Sequence, residues 1–252
     1  MIRILAAALL LTLTLAPAAA QRLIVATSDP EVSIDSTFSG ETITFFGSIE
    51  PDFGEATVPP GVYNIVIVVQ GPTDNRVARL KEQVLGVWLN RQFSVFRAFP
   101  GYYWLLSSSP IAQFASPIDI EAQRLSFAAL VRATGNSSDA KAEEFGGELV
   151  RLMETRGLFG NNERGIQFQS DRLYSARIDL PAFVPNGNFL ARTMLFRDGE
   201  LVATTSQPFT VRTAGFDRFL VQTAQNQSLA YGIACVLLAL ATGWISGLAF
   251  RR

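Results

Sequence analysis

The 252-residue chain has no histidine and one cysteine. Without histidine there is no Ser-His-Asp or Cys-His nucleophile system, no His-ligated zinc, no haem held by His and no histidine pH switch. The single cysteine, Cys235, has no intrachain partner, so no disulfide can staple the fold and stability must come from burial. The chain is equipped for that, with 19 Phe and 48% hydrophobic residues. Charge is sparse, at 17% of residues, and nearly balanced at −1. No basic patch or Lys/Arg run stands out along the chain, which argues against nucleic acid as a partner. Between residues 21 and 228 the balance is 18 basic against 22 acidic side chains, a mildly acidic −4.

Long apolar runs are confined to the two ends, and they differ. Arg3, the run Ile4 to Leu15 and the small residues Pro17-Ala18-Ala19-Ala20 have the order of a secretory signal peptide, with cleavage expected after Ala20. At the other end, residues 229–250 carry no charge and are followed by Arg251-Arg252. Twenty-two residues at about 1.5 Å each make roughly 33 Å of helix, against a hydrocarbon core of about 30 Å. Tyr231 and Trp244 sit near the two ends, and the closing arginines follow the positive-inside bias. The sequence thus predicts a signal peptide over 1–20, a body over 21–212, a juxtamembrane linker over 213–228, a transmembrane helix over 229–250 and a cytoplasmic tail at 251–252.

Within the body, short β-runs are separated by turn residues. Thr42 to Phe46 follows Ser39-Gly40, and Tyr63 to Val69 follows Pro59-Pro60-Gly61; the second is almost continuously apolar and is expected to be a central strand buried on both faces. Further strands are expected at 76–83, 84–90 and 93–99. Ser116-Pro117-Ile118-Asp119 reads as a helix start and Gly135 as its stop; a second helix is expected from about Ser138 to Gly157, with Phe145, Leu149, Leu152 and Met153 on one face. Strands return at 173–180, 189–196 and 201–212, joined by Asn186-Gly187 and Asp198-Gly199, both suited to tight hairpins. The expected fold is mainly β with a helical insertion at about 116–157: an immunoglobulin-like β-sandwich plus one C-terminal transmembrane helix. A single composite sandwich and two small ones remain the alternatives.

Gly86 to Asn90, Phe96 to Ile111 (with its Phe99-Pro100-Gly101-Tyr102-Tyr103-Trp104 core), Phe45-Phe46-Gly47 and Val69-Gln70-Gly71-Pro72 together resemble the transmembrane protein family of alphaproteobacteria, over nearly the whole mature chain. The resemblance implies a Gram-negative inner membrane, single-pass, with the body in the periplasm and the C-terminus cytoplasmic. It points to transporters of the sulfite-exporter type as a partner class. It implies no activity, cofactor or catalytic residue.

Several constellations have two readings each. Cys235, Ala239, Gly243 and Gly247 form a small-residue stripe at four-residue spacing, with Ser246 beside it, fitted to contact another helix, of a second copy or of a transporter-like protein; the plainer reading is a face towards lipid. Tyr102, Tyr103 and Trp104 are either an exposed recognition surface or core with hydrogen-bonded polar tips, core being the plainer reading, and the same holds for Trp88. Ser107-Ser108-Ser109 lacks a base and reads as a loop. Asp119, Glu121, Glu143, Glu144 and Glu148 read as solvated helix faces rather than a catalytic carboxylate pair. The functional expectation is a membrane-anchored periplasmic binding or accessory module without catalytic activity, cofactor or metal, assisting a membrane transporter. The alternative is an anchored hydrolase or lyase using two carboxylates.

Overall fold

The structure, a computed structural model, describes residues 22–35, 38–51, 57–84, 86–136, 139, 141–213 and 223–249, the side chains of 82, 84, 90, 91, 230 and 247–249 excepted. The expected signal peptide, the start of the second helix near Ser138, most of the linker and the last three residues lie outside these.

Two sheets form the body. The first has the order β1 (Arg22–Thr27), β3 (Gly40–Glu50), β10 (Leu173–Pro181) and β9 (Ile166–Phe168), all antiparallel. The second has the order β2 (Glu31–Ile34), β12 (Glu200–Thr213), β11 (Gly187–Arg197), β4 (Tyr63–Gln70), β7 (Tyr103–Ser107) and β8 (Phe159–Asn162). Strands from the two halves of the chain interleave, since β3 pairs with β10 and β4 with β11. In β10 burial alternates strictly, with Tyr174, Ala176, Ile178 and Leu180 inward, as a half-covered sheet requires. In β4 five successive residues, Ile65 to Val69, are buried, so this strand is covered on both faces. The sheets face each other through aromatic rings: Phe45 of β3 lies 6.0 Å from Phe209 of β12, which is itself stacked at 5.0 Å on its cross-strand neighbour Phe189 of β11. Each such buried ring contributes about 1.5–3 kcal/mol.

Two features depart from the immunoglobulin-like arrangement. That arrangement is two antiparallel sheets, whereas here β2 runs parallel to β12 and β8 parallel to β7, so the six-stranded sheet is mixed at both edges. Asn186-Gly187 also does not close a hairpin: β10 belongs to the first sheet and β11 to the second, so the chain crosses between layers there. Asp198-Gly199 does close one, between β11 and β12, with positive φ at both residues (51° and 93°), the conformation a type I′ turn demands.

Among the described residues the helical insertion has three helices rather than two: α1 (Pro117–Ala122), α2 (Phe127–Thr134) and α3 (Ala142–Thr155). Ser116 caps α1, its Oγ accepting from the Asp119 N–H at 3.1 Å, and Ser126 caps α2 in the same way from Ala129 N–H at 3.1 Å. The break between them falls at Arg124, which has φ 57°, and is held against β11 by Arg192, whose Nη2 donates to the Gln123 carbonyl at 2.6 Å. Gly157, with φ 65°, ends the turn after α3. Of the expected apolar face of α3, Phe145 and Met153 are buried and Leu149 partly so, while Leu152 is exposed. Gly146 lets α2 and α3 touch: a Cβ there would lie 2.2 Å from Val131 Cγ1.

The expected strands at 76–83, 84–90 and 93–99 are a single long hairpin, β5 (Thr73–Val84) and β6 (Val87–Pro100), forming its own two-stranded sheet. The last helix, α4 (Ser228–Ala249), occupies the expected anchor, but among the described residues no helix is long and apolar enough to cross a membrane. The expectation of a transmembrane helix over 229–250 is corrected accordingly.

Candidate functional site

The aromatic segment after Pro100-Gly101 lies at the junction of sheets and helices. Strand alternation sends its rings to different neighbours. Tyr102, just before β7, is fully buried against Phe189 at 5.6 Å, and its hydroxyl donates to the Asp179 carbonyl at 3.3 Å. Burial, with the nearby Asp179 charge adding to it, holds this phenol well above its usual range. Tyr103 is buried between Phe159 and Phe127 and donates to the Arg124 carbonyl at 2.7 Å. Its pKa is pushed up to about 12, burial outweighing the Arg192 and Arg124 charges that pull it down. Both tyrosines are therefore core, and of the three residues read as a recognition surface only Trp104 reaches solvent.

Trp104 is half-buried and its ring lies over Gly160, where a Cβ would come within 2.5 Å of it. The indole forms one wall of a cleft of about 470 Å³ completed by Ser39 to Thr42, Gly157 and Asp179 to Pro181. Thr42 donates to Asp179 Oδ1 at 2.6 Å across β3 and β10. The cleft thus offers one flat apolar ring beside the carboxylates of Glu41 and Asp179, a surface for contact with a polar ligand. Nothing in it activates a nucleophile.

The remaining candidates are committed elsewhere. Glu121 and Arg132 form a bidentate pair at 2.9 and 2.7 Å, Glu143 lies 3.6 Å from the same arginine, Glu148 pairs with Arg151 at 2.8 Å, and Asp119 accepts from the Ser116 hydroxyl at 2.7 Å. Glu121 and Glu143 meet at Arg132, which lines a cleft of about 380 Å³ together with Glu143 and Asp139, whereas Asp119, Glu121 and Glu148 are not among its lining residues. Arg132 holds the Glu121 carboxyl below its ordinary value. Ser107 is buried at the end of β7, while Ser108 and Ser109 donate to Asn64 Oδ1 at 3.3 and 2.6 Å, tying the chain to the start of β4. Among the described residues no group of three or more Cys, Asp and Glu is placed to hold a metal.

In α4, Cys235, Ala239, Gly243 and Ser246 are exposed or face open space: a Cβ at Gly243 would meet nothing within 4 Å. Trp88 is the largest departure from the sequence reading. It is 64% exposed on the β5–β6 hairpin, not core. The signal available was its place in Val87-Trp88-Leu89: consecutive apolar residues in a strand point to both faces, and one buried face cannot take them all.

No curated protein matches the chain. The model of one protein family matches residues 22–252, nearly the full length, so the chain belongs to the family described as "Putative transmembrane protein (Alph_Pro_TM)".

Proposed function

We propose that this protein is a membrane-associated binding or accessory module without catalytic activity, exported so that its β body lies in the periplasm. Its terminal helix α4 meets another helix through Cys235, Ala239, Gly243, Ser246 and Gly247, contributed by a second copy or by a transporter-like protein. The observation that carries this reading is the surface of α4. It has no charged residue, and Leu229, Val236, Leu238, Leu240, Trp244 and Ile245 are all exposed on it. A helix apolar on every side is not stable against water and takes a lipid or protein environment. The family description supports the membrane. The open space at Gly243 supports close approach by a second backbone. Export is supported by the residue order of 1–20 and by a family match that starts at residue 22, just past the expected cleavage point.

The test is purification of the intact protein from crosslinked membranes in mild detergent, comparing the wild type with Gly243→Leu and Gly247→Leu. A discrete crosslinked partner, lost in both variants, is the expected result. A lone monomer, or a crosslink indifferent to both substitutions, refutes the helix contact.

A further inference from the structure

The β5–β6 hairpin projects from the body, and only its lower half is braced. Phe96 and Ser94 on β6 are buried, Phe96 bridges to Gly135 at the end of α2, and Lys141, just before α3, donates to the side chain of Gln92. Phe96 and Ser94 pair with Arg76 and Ala78, so this face of the hairpin lies on the helices. The opposite face, with Val77 paired to Val95 and Arg79 paired to Phe93, has no such cover: Val77 is 48% and Phe93 62% exposed.

Leu80 pairs with Gln92 but Lys81 with Asn90, so Arg91 is an extra residue and the ladder is bulged. Beyond the bulge the described apolar side chains of both faces are exposed. Val87, Trp88 and Leu89 are 58%, 64% and 44% exposed, and Gly86, with φ 83°, closes the tip. Two strands alone are marginally stable in water, and an apolar tip on them adds to that cost. The hairpin therefore needs a partner that takes apolar side chains from both of its faces. Enclosure of that kind suits a soft medium better than a flat protein surface.

Charge indicates which medium. Residues 73–100 carry five basic side chains (Arg76, Arg79, Lys81, Arg91, Arg97) against Asp74 and Glu82, a balance of +3. The rest of 21–228 has 13 basic and 20 acidic side chains, −7. The hairpin is thus net positive on a body that is otherwise net negative, and its tip is apolar. Lys81 stands three residues back from Val84, about 10 Å at the strand rise. Interfacial elements bury their apolar parts about 5–10 Å deep, with cations at the level of the headgroups. We infer that the β5–β6 hairpin is a second membrane contact, which inserts Val87, Trp88 and Leu89 into an anionic lipid surface and sets Arg79 and Lys81 among the phosphates. The inference rests on the membrane association proposed above but not on which helix α4 meets.

The test uses the full chain with vesicles of phosphatidylcholine alone and of phosphatidylcholine with about a third phosphatidylglycerol, each with and without brominated acyl chains. Subtracting the emission of Trp88→Phe isolates Trp88 from Trp104 and Trp244. Bromine is expected to quench most of the Trp88 signal in the anionic vesicles and little in the neutral ones. Arg79→Glu with Lys81→Glu lowers that quenching, weakening insertion by about thirtyfold or more. Vesicle flotation in which the chain floats while Trp88 stays open to aqueous iodide overturns this inference alone; a chain that does not float overturns the membrane reading as well. Quenching equal in both lipids overturns the anionic requirement. A Trp88 shift that follows protein concentration but not bromination assigns the tip to a second copy and overturns the lipid assignment.

Discussion

Replacing Gly146 with alanine sets two effects of opposite sign against each other in one helix. Alanine is favoured over glycine in a helix interior by roughly 1 kcal/mol. The new methyl, however, would lie 2.2 Å from Val131 Cγ1 and 2.9 Å from Cγ2. Val131 is buried and its χ1 is stiff in a helix, so it cannot swing aside and α3 must move away from α2. Overpacking costs about 1–3 kcal/mol; an approach of 2.2 Å to a side chain that cannot yield belongs to the upper part of that range, about 2–3 kcal/mol, which leaves Gly146→Ala destabilising by about 1–2 kcal/mol. Gly147 is the internal control, because a Cβ there meets nothing within 4 Å. Gly147→Ala is expected to gain about 0.5–1 kcal/mol. Thermal unfolding of the full chain in mild detergent, followed by near-UV circular dichroism, reads the difference. At about 2–4 °C per kcal/mol for a body of this size, Gly146→Ala lowers Tm by several degrees and Gly147→Ala raises it slightly. Adding Val131→Ala to Gly146→Ala removes the clash, so the double variant is more stable than the sum of the singles predicts. Similar shifts for both glycines, or strict additivity with Val131→Ala, would refute the close approach of α2 and α3.

Two further predictions follow from hydrogen bonds at turns and edges. Tyr103 loses its proton near pH 10 when unfolded but only at about 12 when folded. Its contribution to stability is complete below pH 10 and lost as pH rises towards 12; difference absorbance of the phenolate should show this delayed step, and Tyr103→Phe should remove it. At the β11–β12 turn, the Val62 N–H donates to Asp198 Oδ1 at 2.9 Å and Gly199 has φ 93°. Asp198→Ala and Gly199→Ala should each destabilise by about 1 kcal/mol in urea unfolding, the first through the lost bond and the second through backbone strain; Gly199→Ala without effect would exclude the positive-φ turn.

Features that depend on a few neighbouring residues were readable in advance. Asp198-Gly199 needs only its own two residues to prefer positive φ. Ser116 with Pro117 and Asp119 carries its cap within four residues, and Ile65 to Val69 reads as a doubly covered strand because no polar residue interrupts it. Other features failed where a distant partner decides. Ser126 was a cap that passed unread, because the break at Arg124 is held by Arg192, 68 residues further along. Asn186-Gly187 has the same local chemistry as Asp198-Gly199 but joins different sheets, since β10 pairs with β3 and β11 with β4. At the candidate site, Tyr102, Tyr103 and Trp104 are consecutive, and only their neighbours in the other sheet and in α2 bury the first two and leave the third at a cleft.

Composition and local order by themselves determined the chemistry this chain cannot perform without histidine or a cysteine pair, the mainly β body with helices between about 116 and 157, and the uncharged helix at its end. Tertiary structure alone decided the parallel strands at both edges of the larger sheet, the close contact at Gly146 and the exposure of Val87, Trp88 and Leu89 at the tip of one hairpin. The reason is physical: propensity, capping and periodicity act over a few residues, whereas pairing and burial are set by surfaces that meet only after the chain has folded back on itself.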